Sequence, residues 1–585
     1  MLITGALVFN VFRKRFEQQD VLIRDGMFVD QGAGLSVPAD EERLDARGLW
    51  MVPALVDIHM HIESSMTVPA EFSRLALPAG TGTVVADPHE IANVFGVEGI
   101  RHFMNAKTDL DIFYGLPSSV PSTDPSLETT GGVIGPEEIA ALAEDPRVLC
   151  LGEVMNAHGL AEGGVTGKII AAFKKARSGA PSALLIEGHC PRITGSALSA
   201  FIAAGVWADH THQTPSSMRE KIGKGMFIEV QRKSLTAENV RAIVDDALFE
   251  HIALVTDDVM PDDLVKGHLN LLVREAVRLG MRPEDAVYCA TYTPSRRMML
   301  HDRGAIAPGR IADFILLRDL AGFEIASVYK RGKRVEKGAF SGKAGAFPGN
   351  AGAFPSHFYT SVRRKPLMRE HFVPPLPPEF QGGEIRCVTM GIEPHSTFTR
   401  RGSRVCPVRD GTLRWRDAGL CLIAVIERYG HEAPARFGFG EGMLTGTGAL
   451  ATSLAHDHHN LLVLGTCEAD MALAANTVIA RQGGLVAVRD GAIAAFVPLP
   501  VGGIVSEAPV ETTAESLRVF RAVMEALGYR HQNGIMSLCT LSLLVSPELK
   551  ISDKGLFDVS SRQPVPLYEA GALDEAGSGR DNGAE

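Results

Sequence analysis

The segment VDIHMH at 56–61 sets His59 and His61 one residue apart at the end of an apolar run. In a strand, residues two apart point to the same face, so both imidazoles can reach one ion. A lone H-x-H carries little weight. Further apolar runs, however, end on residues of the same chemistry. Glu153 follows VLCLG, His189 follows ALLIEG, His210 follows GVWAD and Asp257 follows IALVT. Taken singly, each reads as a hydrogen-bonded residue at a strand end. Five independent strand ends all offering His, Glu or Asp do not fit that reading. A His-rich set with carboxylates suits borderline divalent ions such as Zn, Mn or Fe(II). Two ions would need a bridging carboxylate, for which Glu153 is the candidate. Hydrolysis is the chemistry such a centre supports, because a divalent ion brings the pKa of bound water down towards about 7.

These residues need a frame. Between 50 and 301, short apolar runs alternate with helical stretches: MVPALVDI, GTVVAD, DIFYGL, VLCLGEVM, ALLIEGH, GVWADH, MFIEV and IALVTD. Helical patterns include GPEEIAALAEDP, SALSAFIAAG and DLVKGHLNLLVREAVRLG. Eight runs over about 250 residues match a (β/α)8 barrel, a size that a doubly wound sheet also allows. The placement of His59, His61, Asp87, Glu153, His189, His210 and Asp257 at or just past run ends favours the barrel. Active sites of barrels are built on that rim.

Residues 1–50 alternate apolar and polar, as in VLIRDGMFVD at 21–30, and a similar signal returns at 304–336. Both predict short strands that pair into one domain split by a large insertion. The expected organisation is a small β-sandwich domain from 1–52 and 302–340 and an α/β barrel over 53–301. A Gly/Ala/Pro-rich linker follows at 341–382, where AGAFP occurs twice, then a C-terminal α+β domain at 383–567 and a disordered tail at 568–585.

With 585 residues, 45% of them hydrophobic and 22% charged, the chain reads as a soluble protein of several domains. A net charge of −11 argues against nucleic-acid or anionic-membrane binding. The eight cysteines form no C-x-x-C pair and read as reduced thiols. No stretch reads as a signal peptide or a membrane span, and the expected location is cytoplasmic.

Longer motifs carry a resemblance. VPALVDIHMHIESSM resembles the first barrel strand of the amidohydrolase superfamily. VVADPHEIANVFGVEGI (84–100), LGEVMNAHG (151–159), EGHCPRITG (187–195) and TDDVMPDDL (256–264) resemble its adenine deaminase family. AHDHHNLLVLG, EADMALAANTV, PLPVGGIVSEAP and SPELKISDKGLFDV are similar to that family's C-terminal domain. The resemblance covers nearly the whole chain apart from 341–356 and the tail.

It implies a metal-dependent hydrolase acting on the C–N bond of a cyclic amidine: adenine and water give hypoxanthine and ammonia, a step of purine salvage. It implies a binuclear centre, Mn2+ foremost with Fe2+ or Zn2+ as alternatives, held by His59, His61, Glu153, His189, His210 and Asp257. Asp87, His89 and Glu90 in DPHE would lie beside it, contacting substrate or an accessory ion. For Asp87 the competing reading is a helix cap after a Pro turn. Asp257 would accept the water proton and pass it towards the leaving ammonia, with Glu153 and His89 as further shuttle members. A homodimer or larger assembly is implied as well.

The chain departs from the family's pattern in places. Thr211 follows His210 where Glu is usual, and His212 comes next. In EVQRKSL, Gln231 stands near an expected Arg and Lys233 where Gly is expected. Ser119 stands where Cys is common, MLTGTGA at 443–449 lacks the usual Lys, and His458 replaces a Ser. None of these removes an expected ligand. A Gln for Arg change alters what a pocket can pair with, so a related aminopurine or a ring amide stays open as substrate. A dihydroorotase- or hydantoinase-type hydrolase would commonly use a carboxylated Lys on the fourth strand, where this chain offers Glu153. A purine-binding protein with a vestigial site is a third reading, opposed by the intact ligand set. The zinc deaminases with H-x-E and P-C-x-x-C are excluded, because the chain has no P-C-x-x-C. The run His456-Asp457-His458-His459 reads as a turn at the barrel mouth or a subunit interface rather than a metal site.

Overall fold

The computed structural model describes residues 1–160, 163–336, 354–378, 380–394 and 396–569. Each of the eight apolar runs carries a strand: β1 (Leu55–His61), β2 (Thr81–Ala86), β3 (Asp111–Leu116), β4 (Val148–Val154), β5 (Ile186–Gly188), β6 (Ala208–Asp209), β7 (Phe227–Val230) and β8 (Ile252–Leu254). A helix lies between each successive pair, from Pro69–Ala76 to Ala237–Asp245. Strands β1 to β5 pair in order, all parallel, in a curled sheet. β6, β7 and β8 form a second parallel set. Past β8, the short strand Asp257–Asp258 pairs with Met60 and His61 of β1. At the other side Trp207 N donates to Ile186 O at 3.3 Å, linking the chain before β6 to β5.

Local chemistry explains these elements. β1 and β2 are buried along their whole length, as parallel strands covered on both faces are. Proline opens the helices at 69, 136, 215 and 283, where its missing N–H costs nothing. Thr214 and Thr236 cap theirs, accepting from Ser217 N and Asn239 N at 3.2 and 3.3 Å.

The two flanking segments meet in one eight-stranded sheet. Phe314–Asp319 runs antiparallel to Trp50–Pro53, which pairs with Leu2–Asn10. Val8, Phe28, Met51, Phe314 and Leu316 pack together in its core.

The described residues divide into two compact units: those of 1–120, 132–354 and 505–514 form the first, and those of 121–131, 355–504 and 515–569 the second. The first holds the parallel strands and the flanking sheet. Its returning segment reaches the loop after β1, where Ser506 N donates to Met66 O at 3.0 Å. The second is built on a nine-stranded sheet, antiparallel except where Gly383–Ile392 runs parallel to Arg436–Glu441. Helix Glu468–Arg481 sets Met471, Ala475 and Val478 in that unit's core. Residues 341–353 and 379 of the expected 341–382 linker lie outside the described residues, as does the tail from 570. The described part from 354 onward packs: Val362, Leu367 and Phe372 enter the same core. All eight cysteines are free thiols. Among the described residues no helix is long and apolar enough to cross a membrane.

Candidate metal centre

The C-terminal ends of the parallel strands gather the residues singled out in the sequence. His59 and His61 share a face of β1, and Asp257 reaches them from the segment paired with that strand's end. Glu153 stands one residue before the end of β4, His189 just past β5 and His210 just past β6. All are buried except His189, whose side chain is 23% exposed.

The two oxygens of Glu153 face different histidines. Oε1 lies 3.0 Å from His61 Nε2 and 3.6 Å from His59 Nε2. Oε2 lies 2.9 Å from His189 Nδ1 and 3.4 Å from His210 Nε2. Asp257 Oδ1 completes the first set, 3.4 Å from His61 Nε2 and 3.7 Å from His59 Nε2. Metal–ligand bonds of about 2.0–2.2 Å put neighbouring ligand atoms roughly 3.0–3.5 Å apart. Most of these separations fall in or near that range, and several are too long for hydrogen bonds. Donor atoms of His59, His61 and Asp257, of His59, Glu153 and His210, and of His61, His89 and Glu153 lie within 4.8 Å of one another. Buried carboxylates among histidines need positive charge close by, and this donor set suits a divalent metal centre.

Electrostatics separate the members. Burial disfavours charge on His61, but Asp257 and Glu153 outweigh it and hold the ring well above its usual value. Burial, then the charge of His59, pushes His210 down to about 3 and leaves it neutral. Burial acts to raise Glu153, yet His210, His189 and His61 bring it well below the carboxylate range. Asp257 is held low against burial by His59 and His61. Its φ of 57° lies in the left-handed region, which Asp tolerates better than most side chains.

Other expected residues surround this set. Asp87 Oδ2 accepts from Glu153 N at 2.8 Å, and the Asp87 carbonyl lies 3.0 Å from His61 Nδ1. His89 stacks edge-on to His61, with ring centroids 4.6 Å apart. Its Nδ1 is 3.9 Å from Glu153 Oε1, and its Nε2 is 3.4 Å from Glu90 Oε1. Gln231 is buried and donates through Nε2 to the His210 carbonyl at 3.1 Å. Ser119 Oγ accepts from Met155 N at 3.2 Å.

Three buried acids behind the rim were missed by a search confined to strand ends. Asp57 accepts from His59 N at 3.3 Å and from the Thr256 hydroxyl at 2.6 Å, tying β1 to the residue before Asp257. Asp209 accepts from Cys190 N at 3.0 Å, Thr211 Oγ1 at 2.9 Å and Lys221 Nζ at 2.6 Å, tying the chain after His189 to that before His210. Thr211 serves that clamp. Glu229 lies on β7, fully buried; burial, then the neighbouring Glu187, raises it well above the usual range. Strand period offered a signal for two of these sites. Asp57 precedes His59 by two residues and Glu229 precedes Gln231 by two, and such pairs share a face.

A curled parallel sheet with a histidine–carboxylate donor set on its rim defines the class. The amidohydrolase family matches residues 50–144 and 133–335, and the adenine deaminase C-terminal domain matches 396–563. Adenine deaminase of Clostridium perfringens is 46% identical over 98% of this chain and 99% of the relative. Those of Lactobacillus delbrueckii subsp. bulgaricus and Syntrophobacter fumaroxidans are 44% and 36% identical, over 97% and 96% of this chain and 99% and 94% of theirs. The chain belongs to the adenine deaminase family of amidohydrolases.

Proposed function

We propose that the chain hydrolyses adenine to hypoxanthine and ammonia. The observation that carries the site is the division of Glu153, whose two oxygens face two separate histidine pairs. Family membership over almost the full length carries the substrate. His59, His61 and Asp257 would hold one divalent ion, His189 and His210 a second, and Glu153 would bridge them. Bound ions supply Lewis acidity that makes water nucleophilic near neutral pH. Mn2+ is the expected occupant, with Fe2+ or Zn2+ as alternatives.

The protein's own groups then move protons. Asp257, ionised and facing both first-strand histidines, accepts a proton from the attacking water at Oδ1 and delivers it to the departing exocyclic nitrogen of adenine. Ammonia cannot leave the aminated carbon unprotonated, so a shuttle of this kind is required. His89, against His61 and near Glu153, serves as the second proton carrier and contacts the substrate ring. Asp87 fixes Glu153 through its backbone N–H. Glu90, beside His89, and Gln231, beside His210, line the approach.

In the same reading the eight strands of 53–301 close into a (β/α)8 barrel. The sheet from 1–52 and 302–340 is a small β-sandwich domain, and 383–567 is the C-terminal α+β domain. The enzyme works in the cytoplasm as a homodimer or larger assembly.

The test is ammonia release from adenine, other aminopurines and dihydroorotate. The protein is grown with iron chelated and manganese supplied, and Asp257→Asn and Glu153→Gln are run in parallel. Hypoxanthine from adenine, abolished in both variants, is the expected result. Inert adenine with metal bound would discard the substrate and turn attention to Gln231.

A further inference from the structure

His59 and His61 divide their ring nitrogens in the same way. Nε2 of each faces Glu153 and Asp257. Nδ1 of His61 lies 3.0 Å from the Asp87 carbonyl, an acceptor that holds the proton on Nδ1 and the lone pair on Nε2. For His59, the acceptor set beside Nδ1 is Glu229, whose Oε2 is 3.7 Å away. That is about 0.7 Å beyond a normal hydrogen bond.

Burial raises Glu229; of its neighbours besides His59, Glu187 raises it further and Arg297 acts in the opposite sense. Glu229 is wholly buried on β7, and no hydrogen-bond partner lies at either of its oxygens among the described residues. Such an acid is costly and calls for a reason. A direct ion pair does not supply one: Arg297 Nη2 donates to Glu187 Oε1 at 2.7 Å, and its charge reaches Glu229 without a hydrogen bond. Glu187 lies on β5, two residues before His189, so it faces the same interior.

We propose that Glu229 is a positioning residue for His59. It takes the Nδ1–H of that ring, fixes the tautomer in which Nε2 carries the lone pair, and so sets the affinity of the site formed by His59, His61 and Asp257. This rests on the two-ion reading above. The role is filled for His61 by a backbone carbonyl and for His59 by a side chain, so only the second can be removed by mutation.

The test is Mn2+ titration of the metal-stripped full-length protein by equilibrium dialysis, with Co2+ absorption spectra as a second readout. Glu229→Met is expected to weaken one of the two sites by roughly 10–100-fold and to alter the Co2+ spectrum. Glu229→Gln, whose amide oxygen accepts the same N–H, should stay within about 3-fold of wild type, since it keeps the acceptor that fixes the tautomer. A purely structural role would not separate these two variants in metal affinity. If Glu229→Met does not fold, Glu229→Asp decides, because the shorter side chain withdraws the acceptor and should weaken the same site. Wild-type titration in Glu229→Met, or in Glu229→Asp should it stand in, overturns the proposal and leaves the metal centre standing. A wild-type protein that binds no Mn2+ overturns both.

Discussion

Histidines cluster twice in this chain, and the two clusters use their rings differently. His456, His458 and His459 fall within four residues, and two of their rings accept from nearby backbone N–H groups. His458 Nδ1 accepts from Asn460 N at 2.9 Å, and His459 Nδ1 from Ala455 N at 3.3 Å. Burial, the largest influence, lowers His458 to about 4 and keeps it neutral. Asn460 ties the turn down, donating to Thr129 O at 2.9 Å and to Asp553 Oδ1 at 3.2 Å. On the rim of the parallel strands, by contrast, His59, His61, His189 and His210 come from three strand ends, and carboxylates of two further segments lie among them. Closeness in sequence builds a turn, because neighbouring backbone groups satisfy the rings first. Convergence from separate strands leaves donor atoms facing one another at spacings that suit a cation.

The largest expected effect lies on the rim. Glu153→Gln should lower kcat by roughly 10³-fold or more, since it removes the charge of the carboxylate that faces both histidine pairs. Steady-state ammonia release measures it, and near-normal turnover would break the contrast outright.

Next comes metal content. His210→Ala should retain fewer ions per chain than wild type by mass spectrometry after dialysis. His458→Ala should retain as many as wild type. Loss of metal from the second variant would mean that the turn histidines also serve an ion.

His458→Ala should instead show in stability. It leaves the buried Asn460 N–H without its acceptor, at a cost of about 1–3 kcal/mol, seen as a lower midpoint in denaturant.

The smallest effect sharpens a related difference, between charges buried in a set and a charge buried alone. Lys550 is buried in the second unit with Nζ donating to Thr540 O at 2.8 Å and Thr397 O at 3.0 Å, and burial lowers it to about 7. Between pH 7 and the ordinary lysine value the unfolded chain holds a proton that the folded chain lacks, so stability rises with pH there. Below pH 7 both states are protonated and the contribution is flat. Its slope is at most about 1.4 kcal/mol per pH unit. Lys550→Met should remove that rise relative to wild type in urea melts at pH 7–9.

The strand-end residues were legible because a strand alternates and a loop follows it. His59, His61, Glu153, His189, His210 and Asp257 stood out as polar residues closing apolar runs. Asp57, Asp209 and Glu229 did not, since a charged residue within or beside an apolar run gives no sign of its partner. The partner of Asp57 is Thr256, 199 residues on. Lys221 was equally silent, a lysine within an ordinary helix pattern that turns out to pair with Asp209.

By itself, then, the sequence determined the alternation of strands and helices, the identity of the rim donors and the family. Those follow from side-chain period, residue type and motif, all of which are local properties of the chain. Tertiary structure alone decided which oxygen of Glu153 faces which histidine, which buried acids lie behind the rim residues, and that the His456–Asn460 run folds as a braced turn. Each of these depends on distances between residues far apart in sequence, set by how strands pack side by side and not by any pattern along one of them.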